Sequence, residues 1–327
     1  AGELFGWFVA MSGNGRVIAI GAPSASGQVR VFQYIDSSSG YTQRGSVIVG
    51  AAVGDNFGLS LAMSDDGSVL AIGALGNDDN GKNSGHVRVF QYNASSSVYT
   101  QRGGDIVGAA ASDTFGRSLA MSGGGSVLAI GAPYNDDNGN NSGHVQIYEW
   151  PTSSDIGGAV AGELFGWFVA MSGNGRVIAI GAPSASGQVR VFQYIDSSSG
   201  YTQRGSVIVG AAVGDNFGLS LAMSDDGSVL AIGALGNDDN GKNSGHVRVF
   251  QYNASSSVYT QRGGDIVGAA ASDTFGRSLA MSGGGSVLAI GAPYNDDNGN
   301  NSGHVQIYEW PTSSDIGGAV AGELFGW

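Results

Sequence analysis

The sequence predicts an all-β chain: a six-bladed β-propeller of four-stranded antiparallel blades, made of two identical three-blade halves with pseudo-twofold symmetry. Three observations predict it. Residues 161–320 repeat residues 1–160 without a change, and residues 321–327 begin a third copy. Within each copy a weaker motif recurs three times, at 5–23, 57–75 and 115–133. Short apolar runs alternate with glycine turns throughout, and no segment carries a sustained helical period.

Each blade begins at a Phe-Gly pair, standing at 5, 57, 115, 165, 217 and 275, with a seventh pair at 325. "SLAMS" is a short apolar first strand. "DDG", "GNG" or "GGG" follows, with the turn chemistry of a tight hairpin loop. "SVLAIGA" is β-branched and apolar enough for a strand buried on both faces. After a loop, "HVRVFQY" alternates: Val87, Val89, Phe90 and Tyr92 are interleaved with Arg88 and Gln91. "YTQRGGDIVG" (99–108) is a more polar fourth strand. The small apolar strands belong near the axis and the polar strand outermost. Stacking blade on blade then buries both faces, at about 1.5–3 kcal/mol for each large side chain. Residues 1–320 are expected to form one propeller, with 321–327 a closing or linking segment.

The blades are unequal. The first has only "SASG" (24–27) where the second has "NDDNGKNS". The third has "PTSSDIGG" (151–158) in place of "NASSSVYTQRGGDIVG", which removes most of a fourth strand. A bare outer edge is therefore expected on every third blade, as a surface for self-association or for a neighbouring propeller.

Composition excludes several functions. The chain has 327 residues, 58 of them Gly, yet 42% are hydrophobic, which fits a packed core with many turns. A net charge of −13 repels phosphate backbones and anionic membrane surfaces, and makes divalent cations the natural small partners. Without cysteine there are no disulfides, thiolate metal sites or cysteine nucleophiles. The longest apolar runs are too short to span a bilayer as a helix.

"FGxSLAMSxxGSVLAIGAP", followed by a Gly-Asn-Asp loop and "GHVRVF", resembles the FG-GAP repeat, which builds the N-terminal β-propeller of integrin α subunits. The resemblance covers all six blades, although "GAL" replaces "GAP" at 73–75 and 233–235. It implies an extracellular or cell-surface protein, and Phe5, Phe57 and Phe115 plugging the gaps between blades. The integrin propeller has seven blades, one more than this chain supplies.

The resemblance also implies calcium loops at "GNDDNGKNSG" (76–85) and "YNDDNGNNSG" (134–143). Aligned on the loop glycine, the ligands would be Asp78, Asn80, Asp136 and Asn138, with their copies Asp238, Asn240, Asp296 and Asn298. Gly76 and Ser84, or Tyr134 and Ser142, stand where carboxylates are expected. The favoured alternative is a hydrogen-bonded Asx-rich turn without a metal, and a weak Ca2+ site would take Asp79 or Asp137 as a displaced ligand. "GNDDNGKN" also approaches a phosphate loop, but Asn83 replaces the Ser or Thr and no helix follows, so it is rejected. His86, His144, His246 and His304 share one position, "GHV", and are expected to be hydrogen-bonded structural residues. No His, Asp or Glu cluster has zinc spacing. Sequons stand at Asn93, Asn140, Asn253 and Asn300 as glycosylation candidates. Trp7 and Trp150 are expected to pack between blades rather than to form a sugar-stacking platform.

With no catalytic motif, the sequence leads to a non-catalytic extracellular structural or adhesion propeller, not an enzyme, with no certain cofactor. It would be a repeating block of a larger assembly or fibre, binding an extracellular protein or glycan. Two alternatives stand beside it: an engineered symmetric scaffold made by duplicating a three-blade unit, and a calcium-dependent glycan-binding propeller.

Overall fold

A computed structural model describes residues 4–24, 27–150, 152–184, 187–297, 301–310 and 320–322. The fold is an all-β, six-bladed propeller of antiparallel blades, divided into two compact units, Ala1–Val169 and Ala170–Trp327.

In the first unit, blade 2 shows how sequence becomes blade. Ser60–Met63, Val69–Ala74 and His86–Asn93 form three antiparallel strands in sequence order. All six residues of Val69–Ala74 are buried, as an apolar run without alternation requires. The "DDG" turn is closed by Asp66, whose Oδ1 accepts from the Ser64 hydroxyl and the Ser68 amide, while Gly67 takes a φ of +68°. Phe57 is fully buried, and the Gly58 amide donates to the Gly73 carbonyl, which anchors the Phe-Gly turn to the second strand. The Ser60 hydroxyl donates to the Gly116 carbonyl of blade 3, so blade 2 holds the turn of blade 3; Phe8 takes the serine position in blade 1.

The fourth strand is split. Val98–Gln101 and Ile106–Val107 both pair with His86–Asn93. Phe90 faces Gln101 and Val87 faces Ile106, so Arg102–Asp105 must fit opposite only Arg88 and Val89. The resulting bulge turns Asp105 toward the start of the third strand. Blade 1 has the same split, in Tyr41–Gln43 and Ile48–Val49.

Blade 3 corrects the expectation of a missing outer strand. Thr152–Gly157 pairs along the whole of His144–Glu149, without a bulge. The polar Thr-Ser-Ser-Asp run becomes a strand because the open edge of the third strand satisfies its backbone groups, a force that side-chain pattern does not register.

The second unit repeats these elements. Blade 5 comprises Ser220–Met223, Val229–Ala234, His246–Asn253, Val258–Gln261 and Ile266–Val267. In blade 6, Ser278–Met281, Val287–Ala292 and His304–Glu309 are joined at the outer edge by Val320–Gly322. The second "PTSSDIGG", Asn298 and Asn300 lie outside the described residues.

Tyr99 and Tyr259 tie the outer strands of blades 2 and 5 inward, donating to the carbonyls of Gly67 and Gly227 at 2.6 Å. Burial pushes both phenols up to about 12. The unfolded chain loses these protons first, so stability should fall as pH rises through 10.0, the ordinary tyrosine value, toward 12. A phenolate absorbance titration with parallel melts checks this. Two tyrosines ionising only with unfolding is the expected result.

Candidate metal centre

The loop after the second strand of blade 2 is closed by its own polar groups. The Gly85 amide donates to the Asn77 carbonyl, and the Ser84 hydroxyl does the same at 3.2 Å. Asp78 Oδ1 accepts the Asn83 amide at 2.7 Å, and Asn80 Nδ2 donates to the Gly108 carbonyl at 2.9 Å. Both sequence-predicted ligands are thus engaged by the backbone, Asp78 within the loop and Asn80 at the end of the outer strand. The same bonds hold Asp136 to Asn141, and Asp238 and Asn240 to Asn243 and Gly268. Asp296 accepts from Asn301, and Asn138 lies against Gly157.

With Asp78 turned into the loop, its neighbour Asp79 faces His86. The Asp79 amide is fixed by Asn77 Oδ1 at 3.0 Å. Asp79 Oδ2 lies 3.6 Å from His86 Nδ1, and Asp105 Oδ2, delivered by the bulge, lies 3.9 Å from it. The three ligand atoms lie within 4.8 Å of one another, and Asp239, His246 and Asp265 repeat the arrangement in blade 5.

His86 is 0% exposed, and neither of its ring nitrogens has a hydrogen-bond partner; His246 is the same. This corrects the expectation of hydrogen-bonded structural histidines at these two positions. Burying an unpartnered polar group costs about 1–3 kcal/mol, so an imidazole left in this state points to a missing partner. Burial, then the charge of Arg88, lowers the His86 pKa against the pull of Asp105 and Asp79, which keeps the ring neutral and its lone pair free.

Asp105 is held by a fork from Arg88, at 3.0 Å from Nε to Oδ1 and 2.7 Å from Nη2 to Oδ2, and by Gln101 Nε2 at 2.7 Å. Burial raises its pKa, but these bonds outweigh burial and keep the carboxylate below its ordinary value. Blade 1 has Gln28 in place of the histidine and Val47 in place of Asp105, so the centre does not form there. In blade 3, without the bulge, His144 Nε2 instead meets Asp155 Oδ1 at 3.3 Å. His304 Nδ1 lies 3.8 Å from Asp297.

An imidazole nitrogen and two carboxylate oxygens grouped this closely could hold a metal ion. Zinc binds such atoms at about 2.0–2.2 Å. Sequence reading missed the centre because its ligands are 7 and 19 residues apart and meet only through the bulge. The one usable signal was an aspartate following Arg-Gly-Gly only where "GHVR" precedes it.

The remaining candidates are placed as follows. Asn93, Asn140 and Asn253 are exposed, and the Asn93 side chain caps the amides of Ser95 and Ser96. Trp150 packs on Tyr148, with ring centroids 4.8 Å apart, under the Arg102 guanidinium at 4.7 Å. Trp7 is 61% exposed instead of packed. Among the described residues, no helix is long and apolar enough to cross a membrane.

The FG-GAP repeat model matches residues 48–90, 107–148, 208–250 and 267–308. No curated protein matches the chain in sequence. Among solved structures, it is similar to a candidate 6-phosphogluconolactonase from Bacteroides uniformis, with a TM-score of 0.63 and 12% identity over 98% of this chain and 83% of that one. It is also similar to a periplasmic gluconolactonase, PpgL, from Pseudomonas aeruginosa, with a TM-score of 0.64 and 16% identity over 97% of this chain and 87% of that one. At this identity the likeness shows the shared fold. These neighbours are named as enzymes, which overturns the expectation of a non-catalytic adhesion or structural propeller and of a chain that is no enzyme. That expectation equated the lack of a contiguous catalytic motif with the lack of a site.

Proposed function

The chain belongs to the FG-GAP repeat family, and we propose that it is a metal-dependent hydrolase that opens sugar lactones. The observation that carries this reading is His86, whose buried ring nitrogens make no hydrogen bond and whose Nδ1 faces Asp79 and Asp105, together with its copy at His246. The substrate class is drawn from the names of the neighbouring structures. One nitrogen and two oxygens suit a zinc-like ion. Calcium, the ion suggested by the loop sequence, prefers six to eight oxygens. A bound ion would polarise an acyl carbonyl or acidify a water. Asp79 opens the centre to solvent, and Arg88 keeps Asp105 ionised and in place. In the reaction, water adds to the acyl carbon, the ring C–O bond breaks, and the acid formed releases a proton. The periplasmic neighbour supports an extracytoplasmic location.

Acid release from glucono-1,5-lactone, followed in a pH-stat above the spontaneous rate, tests the reading. Dialysis against EDTA should return the rate to background and zinc should restore it. Asp79→Asn combined with Asp239→Asn should lower the rate by roughly 100-fold. A rate indifferent to EDTA and to both substitutions would refute the proposal.

A further inference from the structure

Blade 1 departs from its neighbours at one charged position. The turn between its first two strands ends in Gly15–Arg16, where blades 2 and 3 place Ser68 and Ser126 after the turn glycine. Asn14 Oδ1 accepts from the Ser12 hydroxyl and the Arg16 amide, both at 2.9 Å, which fixes where Arg16 leaves the turn. Arg16, Gln33, Tyr34 and Arg44 of blade 1 and Asp66 of blade 2 line a cavity of about 400 Å³, a size that takes a small organic molecule. Arg16 and Asp66 precede the second strands of their blades, Val17–Ala22 and Val69–Ala74, whereas the metal loop follows the second strand. The cavity therefore lies at the opposite end of the blades from the metal centre.

The charges of this cavity are unmatched. Arg16 is exposed; its Nη2 reaches the Ile35 carbonyl at 3.4 Å and its guanidinium lies 5.9 Å over the Tyr34 ring. Arg44 is half-buried; it stacks 3.8 Å over Tyr92, its Nη1 reaches the Gly67 carbonyl at 3.5 Å, and its buried Nε has no hydrogen-bond partner. Among the described residues these contacts are with rings and carbonyls, in contrast to Arg88, which Asp105 neutralises at 2.7 Å. Asp66 Oδ1 is taken by Ser64 and Ser68, which leaves Oδ2 to accept from a hydroxyl. Two guanidiniums against one carboxylate leave the cavity one positive charge, in a chain whose net charge is −13. The junction of blades 2 and 3 keeps the second arginine, as Arg102, but has Ser68 and Gly124 in place of Arg16 and Asp66. Both departures from the repeat thus meet at one cavity.

We propose that this cavity binds a polyhydroxy carboxylate, a small acid with one carboxylate and several hydroxyls. The guanidiniums take the carboxylate, whose single charge balances the cavity. Asp66, Gln33 and Tyr34 take the hydroxyls. A phosphate ester, with close to two charges, would be repelled by Asp66. A neutral polyol would leave both guanidiniums unmatched. The second copy of the repeat carries the same residues, with Arg176 at 5.7 Å over Tyr194 and Arg204 at 3.7 Å over Tyr252, so each chain has two such sites. Opening a sugar lactone releases an acid of this class, but the assignment rests on the cavity and is independent of the lactonase reading.

Equilibrium dialysis of the full chain against labelled gluconate tests it. EDTA is present throughout, so that no metal ion at Asp79, His86 and Asp105 can hold the carboxylate. The wild type should take up two gluconates per chain. Arg16→Ser supplies the residue that blades 2 and 3 carry at that position, so its melting temperature should match the wild type. It should bind one gluconate, and Arg16→Ser combined with Arg176→Ser should bind none, each lost site being weakened roughly 30-fold or more. Glucitol, which lacks the charge, and acetate, which lacks the hydroxyls, should each compete at least about 30-fold more weakly than unlabelled gluconate. No gluconate bound by the wild type, uptake unchanged in the double variant, or glucitol or acetate competing as well as gluconate overturns the proposal.

Discussion

Gly85→Ala should destabilise the first unit by roughly 3–5 kcal/mol, whereas Gly104→Ala should change it by no more than about 0.5 kcal/mol. Gly85 has a φ of +80°, and a Cβ there would lie 2.1 Å from the Phe115 carbonyl oxygen and 2.6 Å from its nitrogen. Both are backbone atoms, so no side chain can swing aside. Neither can Gly85 retreat: its amide donates to Asn77 and its carbonyl accepts from Gly108. The strain would push apart the loop of blade 2 and the Phe-Gly turn of blade 3, where Phe115 is 4% exposed. Gly104 has open space around it and no positive φ. Urea unfolding of the two variants, followed by tryptophan fluorescence, checks the difference. Equal midpoints would mean that the blades have room to separate and that close backbone packing does not set their spacing.

The same packing explains how much of the fold was legible. Phe-Gly at the start of each blade, glycine at the end of each second strand and an unbroken apolar run between them are direct imprints of blades pressed together. A sequence shows them because only glycine fits where a Cβ would touch a neighbouring carbonyl. The outer strands are less legible because they are held by hydrogen bonds to an edge. Thr152–Gly157 has no apolar alternation and is a strand all the same. The metal centre lies further from view. Gly81 suggested a calcium loop led by Asp78, but the Asn83 amide occupies that carboxylate and Asp79 turns to His86 instead. Asp105 arrives through two extra residues in the outer strand, a register that no local pattern states. A histidine repeated on four blades looked structural. Among the described residues, only the two with a bulge opposite them bring two carboxylates to one ring nitrogen, whereas His144 meets Asp137 and Asp155 through different nitrogens, and that difference lies in the partner strand.

Two zinc ions should bind per chain, one at each Asp–His–Asp centre, and His86→Ala should abolish one of them by weakening it at least about 100-fold. The repeat makes this a controlled experiment, because His246 keeps the same residues, the same Asp239 and Asp265, and the same arginine fork from Arg248. Loss of global folding would remove both ions; loss of a ligand removes one. Alanine leaves a cavity where the 0% exposed ring stood but no orphaned polar atom, and the ion kept at His246 reports that the fold survives. Asp78→Asn separates this centre from the loop site that the sequence suggested. Asparagine keeps an oxygen to accept the Asn83 amide, so the loop should stand and both ions should stay. Calorimetric titration of the metal-free protein gives the stoichiometry directly. Two ions retained by the His86 variant, or one lost with Asp78→Asn, would move the ligands back into the loop and leave the buried imidazole without a purpose. One lost and one kept would tie its unpaired state to the ion, since a neutral ring facing two carboxylates at 3.6 and 3.9 Å is stabilised by a shared cation more than by either aspartate alone.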